Sequence, residues 1–147
     1  DLSVKYAVPS TNEIAQTVQV MSRQVDFIYV PLDNTIANAM QTVVKEANKA
    51  NIPVIPSVDT MVEQGGLATI GINQYQLGLQ SGKMAAELAS GKEKPETTPV
   101  YTFDQGDTVI NQSQADRLGI IVPQSMKEKA KIITDDSQQE TSKEDDK

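Results

Sequence analysis

Three short stretches of this sequence concentrate groups that can do chemistry: Pro31-Leu32-Asp33-Asn34-Thr35, Pro56-Ser57-Val58-Asp59-Thr60 and Gly71-Ile72-Asn73-Gln74. The first offers a carboxylate, an amide and a hydroxyl, the second a hydroxyl and a carboxylate, the third an amide. Two kinds of chemistry are open to them. Asp33 and Asp59, taken as a pair, are the residue types of general acid–base catalysis or of a magnesium site. Left unreacted, the same groups hydrogen-bond and ion-pair with a small polar molecule. Each stretch also has a plain structural use: Asp33 or Asn34 as a helix cap, Asp59 in an Asx-type turn, Asn73 as a further cap.

The remaining composition narrows the choice. Among 147 residues there is no His and no Cys. A thiolate nucleophile, a Ser-His-Asp triad, a zinc cluster and an imidazole base are therefore excluded, as is any disulfide. No metal and no cofactor is expected. A phosphoacceptor site would need a Lys after the fifth strand, and none stands there. Gly65-Gly66 and Gly71 lead into a strand instead of out of one into a helix, so they do not form a phosphate-cradling loop.

The net charge of −7 argues against a nucleic-acid surface, which would carry a basic stripe. Six acids and two lysines of that balance fall in residues 134–147, which contain no apolar side chain. That tail cannot bury surface to offset its ordering entropy and is expected to be disordered, leaving 1–133 as a nearly neutral body. No apolar run approaches the length that spans a bilayer. The chain opens on Asp1 with no initiator Met, signal peptide or lipidation signal, and its leading residues are expected to have been removed.

What positions the polar stretches is an alternation of strands and helices. Leu2–Val8 alternates with period two and predicts a strand. Ser10 with Glu13 fits a capping box opening a helix with Ile14, Val18 and Met21 on one stripe. Val25–Val30 reads as a buried strand, with Phe27 and Tyr29 assigned to the core. Asp33 or Asn34 starts a helix carrying Ile36, Met40, Val43, Val44 and Ala47. Ile52–Ile55 is a strand, Met61–Gln64 a helical turn, and Leu67–Ile72 another strand. A long helix follows, from Tyr75 to Ser90, ended by Gly91; Gly78, Gly82, Ala85 and Ala89 form a small-residue stripe expected to lie close on a sheet. Val100–Phe103 is expected as the last strand, followed by helices over 112–118 and 124–131. The pattern predicts an α/β fold, a parallel sheet with helices on both faces. Such sheets bind ligands at the carboxyl ends of their strands, which is where the three polar stretches fall.

The runs VDFIYVPLDNTI, NIPVIPSVDTMVEQGGLATIGINQYQLGLQSGKMAAELASGK and TTPVYTF resemble bacterial ABC-transporter solute-binding proteins of the type I periplasmic-binding fold. The similarity runs from about Lys5 to Ile133 and is strongest to the subfamily of tryptophan-binding lipoproteins. It implies two α/β lobes that close on a ligand, with residues 1–133 as most of the C-terminal lobe. The N-terminal lobe and the opening strand and helix of this one would then be missing, leaving a gap or a rearranged edge in a sheet of order 2-1-3-4-5. Carried over by position, the ligand-facing residues are Asp33, Asn34, Thr35, Ser57, Asp59 and Asn73. An amino acid suits them: its carboxylate at the helix start of Asn34 and Thr35, its ammonium on Asp33 or Asp59, with Asn73 adding an amide. Tyr101 and Phe103 fall where the resemblance implies packing between lobes.

The resemblance thus implies a non-enzymatic, extracytoplasmic receptor, a surface lipoprotein or periplasmic protein, that delivers a small polar solute to a membrane permease. An amino acid of tryptophan-like, aromatic type is the favoured solute. The alternative from a different class is the effector-binding domain of a transcription regulator, which shares the fold and would carry a basic DNA-binding head. A third is an enzyme using Asp33 and Asp59, for which the sequence suggests no substrate.

Overall fold

Ser10 begins the first helical segment, and its backbone N–H and hydroxyl both donate to the Glu13 carboxylate. One turn of 3-10 helix, Thr11–Glu13, leads into α1, Ile14–Met21. Asp33 caps α2, Asn34–Ala37, and a break at Asn38-Ala39 separates it from α3, Met40–Lys49. The sequence pattern had joined these two helices into one. Between and after them run β1, Ile28–Val30, and β2, Val54–Pro56. Then follow α4, Asp59–Glu63, β3, Ala68–Gly71, and α5, Gln74–Ala89. The chain closes with β4, Asp107–Asn111, α6, Gln112–Leu118, α7, Gln124–Lys127, and β5, Ala130–Ile133. This computed structural model describes residues 2–103 and 106–134; the acidic run 135–147, expected to be disordered, lies outside the described residues.

The fold is α/β, as the alternation predicts. β1 and β2 pair in parallel, with Ile28 opposite Val54 and Val30 opposite Pro56. β4 and β5 are also parallel, but β3 runs antiparallel to β4, an orientation the sequence pattern did not anticipate. The two sheets meet at Leu67, whose N–H donates to the Val54 carbonyl at 2.7 Å while its own carbonyl accepts the Asn111 N–H at 2.9 Å. The main core lies between β1–β2 and the helices: Ile14 and Val18 of α1, Met40, Val43, Val44 and Ala47 of α3, and Met61 of α4. Val62, Val109 and Ile133 form a second cluster under α4. No helix among the described residues is long and apolar enough to cross a membrane.

Several elements differ from expectation for identifiable reasons. Leu2–Val8 is not a strand. Alternation favours an extended chain, but a strand exists only with a hydrogen-bonded neighbour, and no described strand pairs with it. Its apolar side chains stand in solvent, Tyr6 90% and Val8 98% exposed. The outer edge of β1 is likewise unpaired among the described residues. Tyr29, assigned to the core from its strand, is 59% exposed, because β1 buries Val30 and turns the intervening residue outward.

Val100–Phe103 forms no strand; Tyr101 and Phe103 instead stack edge to face at 5.2 Å. The strands lie further on, at Asp107–Asn111 and at Ala130–Ile133, where charged flanks mask short β-branched runs. The small-residue stripe of α5 does not lie on a sheet either: no residue of that helix is buried, and Gly78 and Gly82 have open space beside them. Gly65 and Gly66 do have a structural reason. Gly65 takes φ +108°, and a Cβ on Gly66 would come within 2.7 Å of the Pro56 ring, so the pair makes a tight turn between α4 and β3.

One charged group sits inside the packing. Glu46 of α3 accepts Lys49 Nζ at 2.7 Å and Gln19 Nε2 of α1 at 2.8 Å, tying the two helices together. The Lys49 hydrogen bond first, then that from Gln19, holds the Glu46 carboxyl below its ordinary value of 4.5. A folded-state pKa below the unfolded one contributes stability that is present above the unfolded value and lost as pH falls through the folded one. Urea midpoints should therefore drop as pH falls below about 4.5, and Glu46→Gln should flatten that decline. An unchanged slope in the variant would remove Glu46 from the account.

Candidate functional site

Sequence order brings four chain segments to one edge of the molecule, the carboxyl ends of β1, β2 and β3 and the start of β4. Their backbones touch. The Ser57 N–H donates to the Val30 carbonyl at 3.0 Å, continuing the parallel ladder one step past β2. Gly71, the last residue of β3, lies against the turn that follows: a Cβ placed on it would sit 3.6 Å from the Ser57 carbonyl oxygen and 3.8 Å from the Asp59 amide nitrogen. Across the antiparallel ladder Gly71 faces Asp107. Ser57, Asp59, Gly71, Asn73 and Asp107 are thereby gathered at one strand-end edge.

The predicted residues divide by what already engages them. Asp33 sits outside the end of β1 in an extended conformation, and its Oδ1 accepts the Ile36 N–H at 3.0 Å, the N-cap of α2. Asn34 and Thr35 form the exposed first turn of that helix. Asp59 Oδ1 accepts the Thr60 N–H at 2.9 Å at the start of α4. Asn73 is committed at both ends of its amide. Its Oδ1 caps α5 by accepting the Gln76 N–H at 3.0 Å, and its Nδ2 donates to Asp107 Oδ2 at 2.9 Å. Capping thus accounts for one acceptor on Asp33 and one on Asn73. It does not account for Ser57, whose Oγ is buried with no hydrogen-bond partner among the described residues, as is that of Ser22 at the end of α1. A buried hydroxyl left unpaired costs about 1–3 kcal/mol.

Asp107 was not among the residues singled out from sequence. With the last strand placed at Val100–Phe103, nothing marked it as a strand start. The β-branched run Thr108-Val109-Ile110 behind it is the signal that could have found it. Its neighbour Gly106 is fixed by close approach, because a Cβ there would meet Ile70 Cγ2 at 2.8 Å and the Gly71 carbonyl oxygen at 2.9 Å.

A depression of about 420 Å³ lies elsewhere, lined by Ala37, Asn38, Gln41, Thr42 and Gln64, and contains none of these residues. Among the described residues no three acidic side chains converge as metal ligands would. Hydroxyl, amide and carboxylate groups on the rims of three strands are the groups that hydrogen-bond and ion-pair with a small polar molecule.

The chain is similar to known proteins. Residues 2–133 match the family described as ABC transporter substrate binding protein. A tyrosine-binding protein of Clostridioides difficile is 35% identical over 109 residues, covering 74% of this chain and 31% of that protein. A solved structure from Streptococcus pneumoniae, an ABC domain in complex with L-Trp, is 48% identical, with a TM-score of 0.80 over 90% of this chain and 45% of that one. A conserved domain protein of Vibrio cholerae is 30% identical with a TM-score of 0.76, covering 89% of this chain and 44% of its own. The chain therefore spans less than half the length of each of these relatives.

The Asn73 cap is open to direct test. Asn73→Ala should lower stability by about 1 kcal/mol, as loss of an N-cap does, with a matching loss of helical signal from α5. Circular dichroism through a urea titration reads both, and an unchanged midpoint would mean that α5 does not depend on this cap.

Proposed function

The chain belongs to the ABC transporter substrate-binding protein family, and from that premise we propose that it forms one wall of a two-lobed receptor for an aromatic amino acid. The observation that carries this reading is the 48% identity, across 90% of the chain, to a structure solved with L-Trp. The tyrosine-binding relative supports the same class of ligand.

The physical steps follow from the strand-end edge. A zwitterionic amino acid brings a carboxylate, an ammonium and a side chain. Backbone N–H groups at the starts of the helices and the unpaired Ser57 hydroxyl offer donors to the carboxylate, and the acidic side chains of the edge offer partners to the ammonium. Asp33, Asn34, Thr35, Ser57, Asp59 and Asn73 are the residues proposed for this wall. The facing lobe supplies the rest, including stacking for the aromatic ring, and its closure excludes water from both ion pairs. The ligand leaves chemically unchanged, so the protein works as a receptor and not as an enzyme. Its partners are the opposing lobe and a membrane permease that accepts the closed form on the outer side of the membrane.

Binding should accordingly require both lobes. Calorimetry on the two-lobed protein should give saturable binding of L-tryptophan or L-tyrosine, and the 147-residue chain alone should give no useful affinity. Micromolar binding by the isolated chain would overturn the two-wall account, and binding of a sugar with neither amino acid would overturn the ligand class.

A further inference from the structure

Resting on that reading, we propose that Asp107 is the residue of this wall that pairs with the ligand's ammonium group. The sequence pattern pointed to Asp33 or Asp59 for that role, and the geometry favours the residue it passed over.

The first reason is direction. In an antiparallel ladder, residues directly opposite one another project to the same face. Gly71 faces Asp107, and the side-chain direction of Gly71 points at the Ser57–Asp59 turn. The Asp107 carboxylate is therefore on the face where that turn lies. Gly71 has no side chain to stand between them. Two residues further along the same face, Val109 packs with Val62 of α4, so Asp107 emerges beyond the end at which α4 begins.

The second reason is orientation. Asn73 Nδ2 holds Oδ2 of Asp107 at 2.9 Å, while the Asn73 carbonyl is fixed by the cap of α5. The carboxylate is thereby steered from behind by an amide that carries no charge. Its Oδ1 has no protein partner among the described residues, and no described lysine or arginine forms an ion pair with it. Asn73 on this account is a positioning residue and not itself a contact to the ammonium.

The test separates a charge contact from a structural role. In the two-lobed protein, Asp107→Asn keeps the shape and the acceptor for Asn73 while removing the charge. The probes are whichever of L-tryptophan and L-tyrosine the unmodified protein binds, its decarboxylated amine (tryptamine or tyramine) and its deaminated acid. Asp107→Asn should weaken the amino acid and the amine by roughly 10- to 100-fold, the range for losing a charge-assisted hydrogen bond, and leave the deaminated acid unchanged. Asp59→Asn, measured alongside, should cost the amine less than Asp107→Asn does. Equal loss for all three probes in Asp107→Asn, no loss for the amine, or the selective loss appearing in Asp59→Asn instead would each overturn the assignment. If the unmodified protein binds neither amino acid, the proposed function itself fails, a result distinct from any of these.

Discussion

The register of β4 against β3 is the constraint on which the site depends. One buried residue, Asn111, helps hold it. Its N–H donates to the Leu67 carbonyl at the head of β3, its Nδ2 reaches the Val62 carbonyl of α4 at 3.3 Å, and its Oδ1 caps α6 through the Gln114 N–H at 2.9 Å. Gln114 in turn donates to Asn48 of α3, so the polar chain runs on into the main core. At 2% exposure Asn111 has no water to replace any of these bonds, and each donor or acceptor left unpaired there would cost about 1–3 kcal/mol. A slip of one residue in the ladder would break all of them and would turn Asp107 to the opposite face of the sheet. The buried residue that ties β4 to Leu67, α4 and α6 thus helps decide what stands opposite Gly71.

From that register the functional edge follows with little further expense. Parallel pairing of β1 and β2 carries the chain out at Pro31 and at Ser57 on one side of the molecule. Antiparallel pairing of β3 and β4 brings the exit of one and the entry of the other to that side. The edge is polar and carries a buried hydroxyl with no partner among the described residues. The role proposed for it is half of a closing cleft, and the relatives it matches are about twice as long as this chain or longer.

How much of this was legible in the sequence divides along a physical line. Elements whose signals are local were readable: the Ser10–Glu13 capping box, the strands around Ile28 and Val54, α5 with its end at Gly91, and α6 over 112–118. So were the three polar strand ends, since topology alone directs attention to them. Elements that depend on a distant partner were not. Leu2–Val8 has the alternation of a strand but no described neighbour to ladder with, and the small-residue stripe of α5 has nothing described to lie against. Asp107 escaped because the preceding aromatic run Val100–Phe103 looked more strand-like than Asp107–Asn111, and only the pairing with β3 decides between them. The antiparallel orientation of that pairing has no local sequence signature at all.

The central claim is that the ligand sits on the edge formed by the ends of β1, β2 and β3 and the start of β4. Amide hydrogen exchange on the two-lobed protein, with and without saturating L-tryptophan or L-tyrosine, tests it most directly. Protection should increase at residues 57–60, 71–73 and 106–108, and should stay unchanged at the separate depression around Ala37 and Gln41. Ligand-dependent protection at that depression, with none at the strand ends, would contradict the account.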